Sequence, residues 1–324
     1  MAPFAVFSKG VSAGLFFILN LLCLYFIFKF SKKLIFFDDL GFRKECLISI
    51  TVFVLSFRAI LHCLHSGQVG ILILFLVVYG LFFISRGKEI RGAFFIGFAV
   101  MIKYMPFLFV VYFFLKKKYK TGLFVAISMC AYAILPGFFA GFRTNFLYIR
   151  QWLPHITSTS LDGGSLLDIK NHSIWTMVRR FMPFDHNLLA TLIVVAVFFV
   201  FMFFIISKNK VAYKNDEIKR FYSCVDYGMI FIVMALFNPN AWLHNFVVLI
   251  FPYMIAAYYL FRCNFKDRVV LVLLIASFIL SSSGSYAIMG KAMQAAFEYY
   301  CAVIISSIIL FGVLARIKIR GDMC

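Results

Sequence analysis

The chain is short of negative charge: its 324 residues carry 13 Asp and Glu against 32 Lys and Arg, a formal net charge of +19. Charge of either sign is scarce, at 14% against 64% hydrophobic residues, and the mean hydropathy is +0.96. Such a composition excludes one or two ordinary soluble domains. No GxxxxGKS/T loop, GxGxxG loop, HExxH helix or Ser/His/Asp constellation occurs. A soluble nucleotide-binding fold is therefore excluded, and any donor substrate is expected to be lipid-borne. The 8 cysteines are scattered without a CxxC pair, which argues against a disulfide framework and leaves them as small apolar residues of a membrane core. The apolar runs also lack the two-residue alternation of a barrel strand. Only helices remain, because a span must satisfy its own backbone hydrogen bonds.

What is abundant is Phe, with 44 residues, and apolar runs of membrane-spanning length. Nine candidate spans fall near 11–30, 47–62, 68–85, 122–140, 187–206, 221–238, 244–261, 268–284 and 297–315. The expected fold class is thus an all-α polytopic membrane bundle forming one integral membrane domain over 1–324. The basic residues cluster between the runs, as anchors against an anionic leaflet, so the positive charge predicts membrane lipids and no nucleic acid as partner.

The stretch 92–115 is anomalous, with Lys103 at its centre and Pro106 three residues on. Read as one span, it would invert everything after it and put most later Lys and Arg outside. Read as a hairpin of two half-helices, it leaves 23 basic residues on the cytoplasmic side and 9 outside or near it. The positive-inside rule selects the hairpin. Broken helices at membrane depth occur where they face protein or a water-filled cavity, so the Lys103–Pro106 break is a candidate site.

This orientation places all six histidines, His62, His65, His155, His172, His186 and His244, at the outer face, together with Asp162, Asp168, Asp185 and Glu298. The long outer segment 141–186 opens with Phe146, Leu147, Tyr148, Ile149, Trp152 and Leu153, punctuated by Arg143 and Arg150, a pattern that suits a helix lying partly at the interface. The chain opens Ala2-Pro3-Phe4 directly before a span, which reads as a protein lacking upstream spans.

Lys103 carries the most information, since a lysine between apolar half-helices is costly unless it meets water, an anion or a counter-ion. It predicts a cation for a lipid phosphate, with snorkelling to the interface as the bland alternative. His62, Cys63, His65 and Gln68 cluster at an outer turn. They form no closed tetrahedral set, so polar lining of a cavity is expected there and no metal. Asn171, His172 and Ser173 precede Arg179 and Arg180, and the paired guanidinium groups suit a phosphate or a lipid headgroup. Trp242 fits an aromatic belt, while His244 and Asn245 at the mouth of a span read as site residues.

Taken in order, these landmarks resemble glycosyltransferase family 87. The resemblance rests on Gly67-Gln68 opening a span, the Lys103-x-x-Pro106 break after Gly92 and Gly97, Asn171-x-Ser173 with a following Arg, and Pro239-x-x-Trp242-x-His244, and it runs from about residue 2 to 255. It implies a GT-C-type membrane enzyme that moves a hexose, mannose-like, from a polyprenyl-phosphate sugar to a hydroxyl of a glycan or glycolipid acceptor, with no cofactor beyond that lipid-linked donor. The implied setting is the outer face of a bacterial inner membrane, in cell-envelope glycolipid or polysaccharide synthesis. By the same resemblance Gln68, Lys103, Asn171, Arg179 and His244 line the cavity; the reading of the residues themselves adds Arg180 for the phosphate and His65, Ser173, Trp242 and Asn245 to the lining.

Two departures stand out. Asn245 occupies the place where the family commonly has a second His, and the catalytic carboxylate expected after a first span has no counterpart. Either the true start lies upstream, or the chain is a truncated copy, or one of Asp162, Asp168, Asp185 and Glu298 substitutes, with His244 as a proton relay; the first two are the favoured expectations. The alternatives are a transporter or flippase of an anionic lipid or solute, and a truncated, non-catalytic accessory subunit.

Overall fold

A computed structural model describes residues 6–160, 168–182, 187–207, 216–284 and 286–321, without the side chains of 153, 155–160, 187, 283 and 286–289. The described chain is helical throughout and has no strand. Its first helices are α1 (Lys9–Ile35), α2 (Phe42–His65), α3 (Gly70–Ile84), α4 (Glu89–Ile102), α5 (Phe107–Leu115) and α6 (Tyr119–Ile134). A single turn, α7 (Gly137–Ala140), leads into α8 (Phe142–Ser160). Then come α9 (Ile174–Phe181), α10 (Asn187–Ile206) and α11 (Asp216–Leu236). A 3-10 turn over Leu243–Leu249 feeds α12 (Ile250–Arg262), followed by α13 (Arg268–Ser283), α14 (Tyr286–Tyr299) and α15 (Ala302–Arg320).

The expected nine spans reduce to six helices long and apolar enough to cross a membrane among the described residues. The difference has a physical cause at each place. The runs at 68–85 and 268–284 become helices of 15 and 16 residues, short of the ~20 a bilayer core asks for. The run at 221–238 belongs to a helix carrying Lys219, Arg220 and Asp226. The last span is displaced to Ala302–Arg320, because α14 ends at Tyr299 and Cys301 turns the chain with a positive φ of 59°. The expectation that every cysteine is isolated also needs correction, since Cys263 is disulfide-bonded.

The broken segment 92–115 is a hairpin. Ser85, at the end of α3, and Lys118, at the start of α6, line one cavity, so the chain has returned to the end it left. α4 packs against α3 because two glycines let the backbones meet: a Cβ on Gly92 would lie 2.5 Å from the Gly80 carbonyl oxygen. Gly97 does the same on the other side, where a Cβ would meet Ser128 Cβ at 2.6 Å in α6. Close approach of small residues is how helices associate where lipid removes the hydrophobic drive.

The end to which the hairpin returns is basic and internally paired. Arg262 Nε meets Asp38 at 2.6 Å, and Arg320 and Arg316 meet Asp267 at 2.6 and 3.3 Å. Deeper, Asp226 takes Lys116 at 2.9 Å and Lys318 at 2.7 Å. The core lies around α11 and α12, whose residues from Phe221 to Leu236 and Ile250 to Leu260 are nearly all buried. The helix α8 exposes Phe142, Phe146, Leu147, Tyr148 and Trp152 and is tied to α6 by Asn145 Nδ2 donating to Ala133 O at 2.9 Å.

Candidate functional site

The site begins at the helix break. Pro106 has no amide hydrogen to offer a continuing helix, and Lys103 closes α4 in an extended conformation, φ −153° and ψ 127°. The 14 residues of α4 rise about 21 Å, so the break lies inside the span, toward the end opposite the basic one. There the hairpin tip docks on the turn between α11 and the 3-10 segment. Lys103 Nζ donates to Asn245 Oδ1, and the Tyr104 hydroxyl donates to Asn238 Oδ1 at 3.0 Å.

That turn is held from within by amides. Asn238 Nδ2 and Asn245 Nδ2 donate to Asn240 O at 3.0 and 2.8 Å, and Asn240 N donates back to Asn238 Oδ1 at 3.2 Å. Asn171 clamps it from the side: its Nδ2 donates to Pro239 O at 2.6 Å, and its Oδ1 accepts from Ala241 N and Ser173 N, both at 3.1 Å. His172 N adds a bond to Ala241 O at 2.8 Å. Ser173 caps α9, its Oγ accepting from Thr176 N at 3.0 Å. The Asn-x-Ser of the sequence is thus a buried brace for the turn that carries Asn245.

Replacing Asn171 with Ala removes the side chain that bonds two amides and a carbonyl in a buried place, at about 1–3 kcal/mol. The expected outcome is a drop in the thermal midpoint of the detergent-purified protein. A midpoint unchanged from wild type would contradict this account.

Gly70 opens α3 against the same turn. A Cβ there would sit 3.0 Å from Val247 Cγ1 and 3.1 Å from His244 O, so a larger residue would push the 3-10 segment off. Across it the His62 and His244 rings stack with centroids 6.0 Å apart. His244 lies within Coulombic range of Lys103 and His62. Cys63 Sγ donates to Gln68 O at 3.5 Å, closing the turn below.

Two spaces lie at the break. One, of about 30 Å³, sets Lys103, Asn238 and Asn245 among the apolar Ile73, Met105, Met234, Ala235 and Val248, with Gly70. The other is an apolar groove of about 280 Å³, lined by Tyr104, Met105, Phe107, Leu108, Trp175, Val194, Val195, Phe198 and Phe237. Met105 belongs to both.

The remaining expected residues are distributed unevenly. Ser173, Asn171, His244 and Asn245 gather around the turn with Lys103, and Trp242 sits beside them half-buried. His65 is exposed and Gln68 half-buried at the rim, outside the lining of either space. Arg180 is turned to structural use, Nη1 donating to Glu298 O and Tyr299 O at 2.8 Å each and Nη2 to Asp168 O at 3.3 Å. Arg179 is half-buried, with Nε buried and unbonded. Asp168 Oδ1 accepts from Lys170 N at 2.8 Å in a local turn. Glu298 is buried, accepts from Gln294 Nε2 at 2.8 Å and lies within Coulombic range of Arg58. Asp162 and Asp185 lie outside the described residues. Sequence reasoning missed Tyr104, Met105 and the role of Asn238, for which the only signal was the polar Asn238-Pro239-Asn240 at the end of an apolar run.

His172 is buried beside this turn, and its environment resists a proton. Burial first, then the charges of Arg58, Arg180 and His62, push its pKa down to about 3. A free histidine titrates near 6.5, so below that pH the unfolded chain gains a proton that the folded chain refuses until about 3. This residue therefore lowers stability progressively as pH falls from about 6.5 toward 3 and has no such effect above that window. His172→Gln should flatten that part of the curve of thermal midpoint against pH, and an unchanged acid limb would refute the assignment.

Comparison with known proteins adds one finding. The family model for glycosyltransferase family 87 matches residues 1–218, a span that includes Lys103, Asn171 and Arg179 and ends before Trp242 and His244, short of the residue 255 expected from the motifs. No curated protein and no solved structure matches.

Proposed function

The chain belongs to glycosyltransferase family 87 and is a membrane glycosyltransferase; from that premise we propose that its donor is a polyprenyl monophosphate hexose, such as mannose. In this reading the acceptor is a hydroxyl of a glycan or glycolipid, and transfer takes place at the Lys103 end, on the outer face of a bacterial inner membrane. The orientation rests on the basic clusters at the opposite end.

One juxtaposition carries the donor assignment: the small space that Lys103 lines and the 280 Å³ apolar groove share Met105. A single amphiphile fits both, its phosphate on Lys103 and its first isoprene units along Tyr104, Phe107, Trp175 and Phe198. A nucleotide sugar would leave the groove empty.

The chemistry follows from the charges. The bond from sugar C1 to the phosphate oxygen breaks, its electron pair staying on the phosphate, where Lys103 stabilises the gathering negative charge. The acceptor oxygen bonds to C1 and gives up its proton. His244, beside Lys103 and stacked on His62, takes that proton, in the role of a general base. Its replacement by Ala should slow transfer by about 10²–10⁴-fold. Glu298→Gln should keep most activity, and the reverse ranking would move the base to Glu298.

The reading as a whole is tested with the full chain in proteoliposomes given a labelled polyprenyl-phosphate hexose and a membrane acceptor fraction. Label in a new covalent product supports it. Label carried across the bilayer unchanged would replace it with transport.

A further inference from the structure

At the basic end, far from the hairpin tip, a second cavity of about 340 Å³ opens among the ends of α1, α3, α6 and α11. Its floor is apolar, with Leu34, Ile84 and Tyr227. Its charged lining is mixed: Lys118, Lys219 and Arg220 share it with Asp216 and Glu217.

Several cations of the basic end are already paired. Asp226 is already taken by Lys116 and Lys318, Asp267 by Arg316 and Arg320, and Asp38 by Arg262. Among the described residues Lys118, Lys219 and Arg220 form no salt bridge. Arg220 Nη2 reaches Phe36 O at 3.5 Å and Nε is closed off from solvent, so the terminal nitrogens are what this guanidinium offers to the cavity. Such N–H groups suit a phosphate.

Size and place narrow the occupant. A water molecule's share of liquid volume is about 30 Å³, so the cavity is roughly ten waters large and more than a bare phosphate would fill. Basic pockets between helix ends at a membrane surface are where lipid headgroups bind. A purely anionic headgroup would meet the carboxylate of Asp216. A headgroup with a phosphodiester and a primary ammonium a few bonds away satisfies both signs.

We propose that this cavity binds the headgroup of an aminophospholipid, its phosphate on Lys118 and Arg220 and its ammonium toward Asp216. The site is separate from sugar transfer, and the proposal stands independently of the donor assigned to Lys103. No covalent step is involved.

The test uses the full chain, delipidated in detergent, with binding followed by native mass spectrometry and by the shift of thermal midpoint. The probes are phosphatidylethanolamine, phosphatidylglycerol, phosphatidylcholine, water-soluble phosphoethanolamine and inorganic phosphate. Phosphatidylethanolamine is expected to be retained at least several-fold better than the other two lipids, and phosphoethanolamine to compete for it weakly. Lys118→Gln and Arg220→Gln should each abolish the preference while leaving the lipid-free midpoint near wild type. Asp216→Asn should shift the preference toward phosphatidylglycerol. Equal retention of all three lipids, stabilisation by inorganic phosphate matching that of the lipid, or undiminished binding by the Lys118 and Arg220 variants would each overturn the proposal. A preference for phosphatidylglycerol in the unaltered chain would overturn the ammonium assignment and with it the occupant.

Discussion

Membranes carrying Lys103→Met should transfer sugar about 10²–10³-fold more slowly than wild type, the usual loss when one preorganised donor to a developing oxyanion is removed. Met keeps the length and apolar stem of the side chain, so the half-helices can still pack and the loss reports charge. The partition of the loss is informative. A cation that acts on the leaving phosphate lowers kcat and kcat/KM together, whereas one that only holds the ground-state donor raises KM alone. Asn245 supplies the contrast, because its Oδ1 is the partner of Lys103 in the resting protein. Asn245→Ala should leave a charged but poorly aimed lysine and a smaller defect. Wild-type turnover by Lys103→Met would remove this residue from the site and the groove from the argument.

The largest loss of stability is expected at the other end, from Asp226→Asn. This carboxylate, 5% exposed, accepts from Lys116, Lys318 and the Tyr112 hydroxyl, the last at 3.3 Å. Lys318 is 3% exposed and also donates to Phe204 O and Ile205 O, both at 2.8 Å. Neutralising the acid leaves a buried ammonium without its counter-ion, a change that typically costs about 3–5 kcal/mol. Thermal unfolding in detergent should show it as the most damaging single substitution among those named here. The double variant Asp226→Leu with Lys318→Met should recover much of the loss, since replacing a buried pair by apolar residues is often neutral. Lys116 can swing to solvent in that variant, being 22% exposed at its side chain. A single variant as stable as wild type would show that the pair is idle.

The hairpin was legible because Lys and Arg report topology without any need for tertiary contacts: the cluster from Lys116 to Lys120 had to share a side with Arg86, Lys88 and Arg91. The number of spans was less legible. Hydropathy records an apolar run, while the length of a helix depends on where its ends are caught, as at Cys301, where the backbone turns left-handed. Lys103 was readable because no apolar environment tolerates it alone. Arg180 was misleading, because a guanidinium at an outer helix end looks the same in sequence whether it meets a phosphate or the carbonyls that end α14. Asn171 was expected to line the cavity, yet its side chain is consumed by Pro239, Ala241 and Ser173, about 70 residues away for two of them. Partners that distant leave no local pattern. Glu298 is comparable: its neighbourhood with Arg58 arises where α2 meets the end of α13, Arg58 donating to Ser281 O and Gly284 O.

The space beside Lys103 is about 30 Å³ and mostly apolar in its lining, room for roughly one water. For an enzyme that transfers sugar, solvent is the commonest rival nucleophile, and a site this small at rest leaves it little room. With the donor proposed above, the arriving sugar would part Lys103 from Asn245 to enter, filling the volume it creates. Wasteful cleavage of the donor without acceptor should therefore be slow relative to transfer, with water excluded by the same contact that holds the lysine at rest.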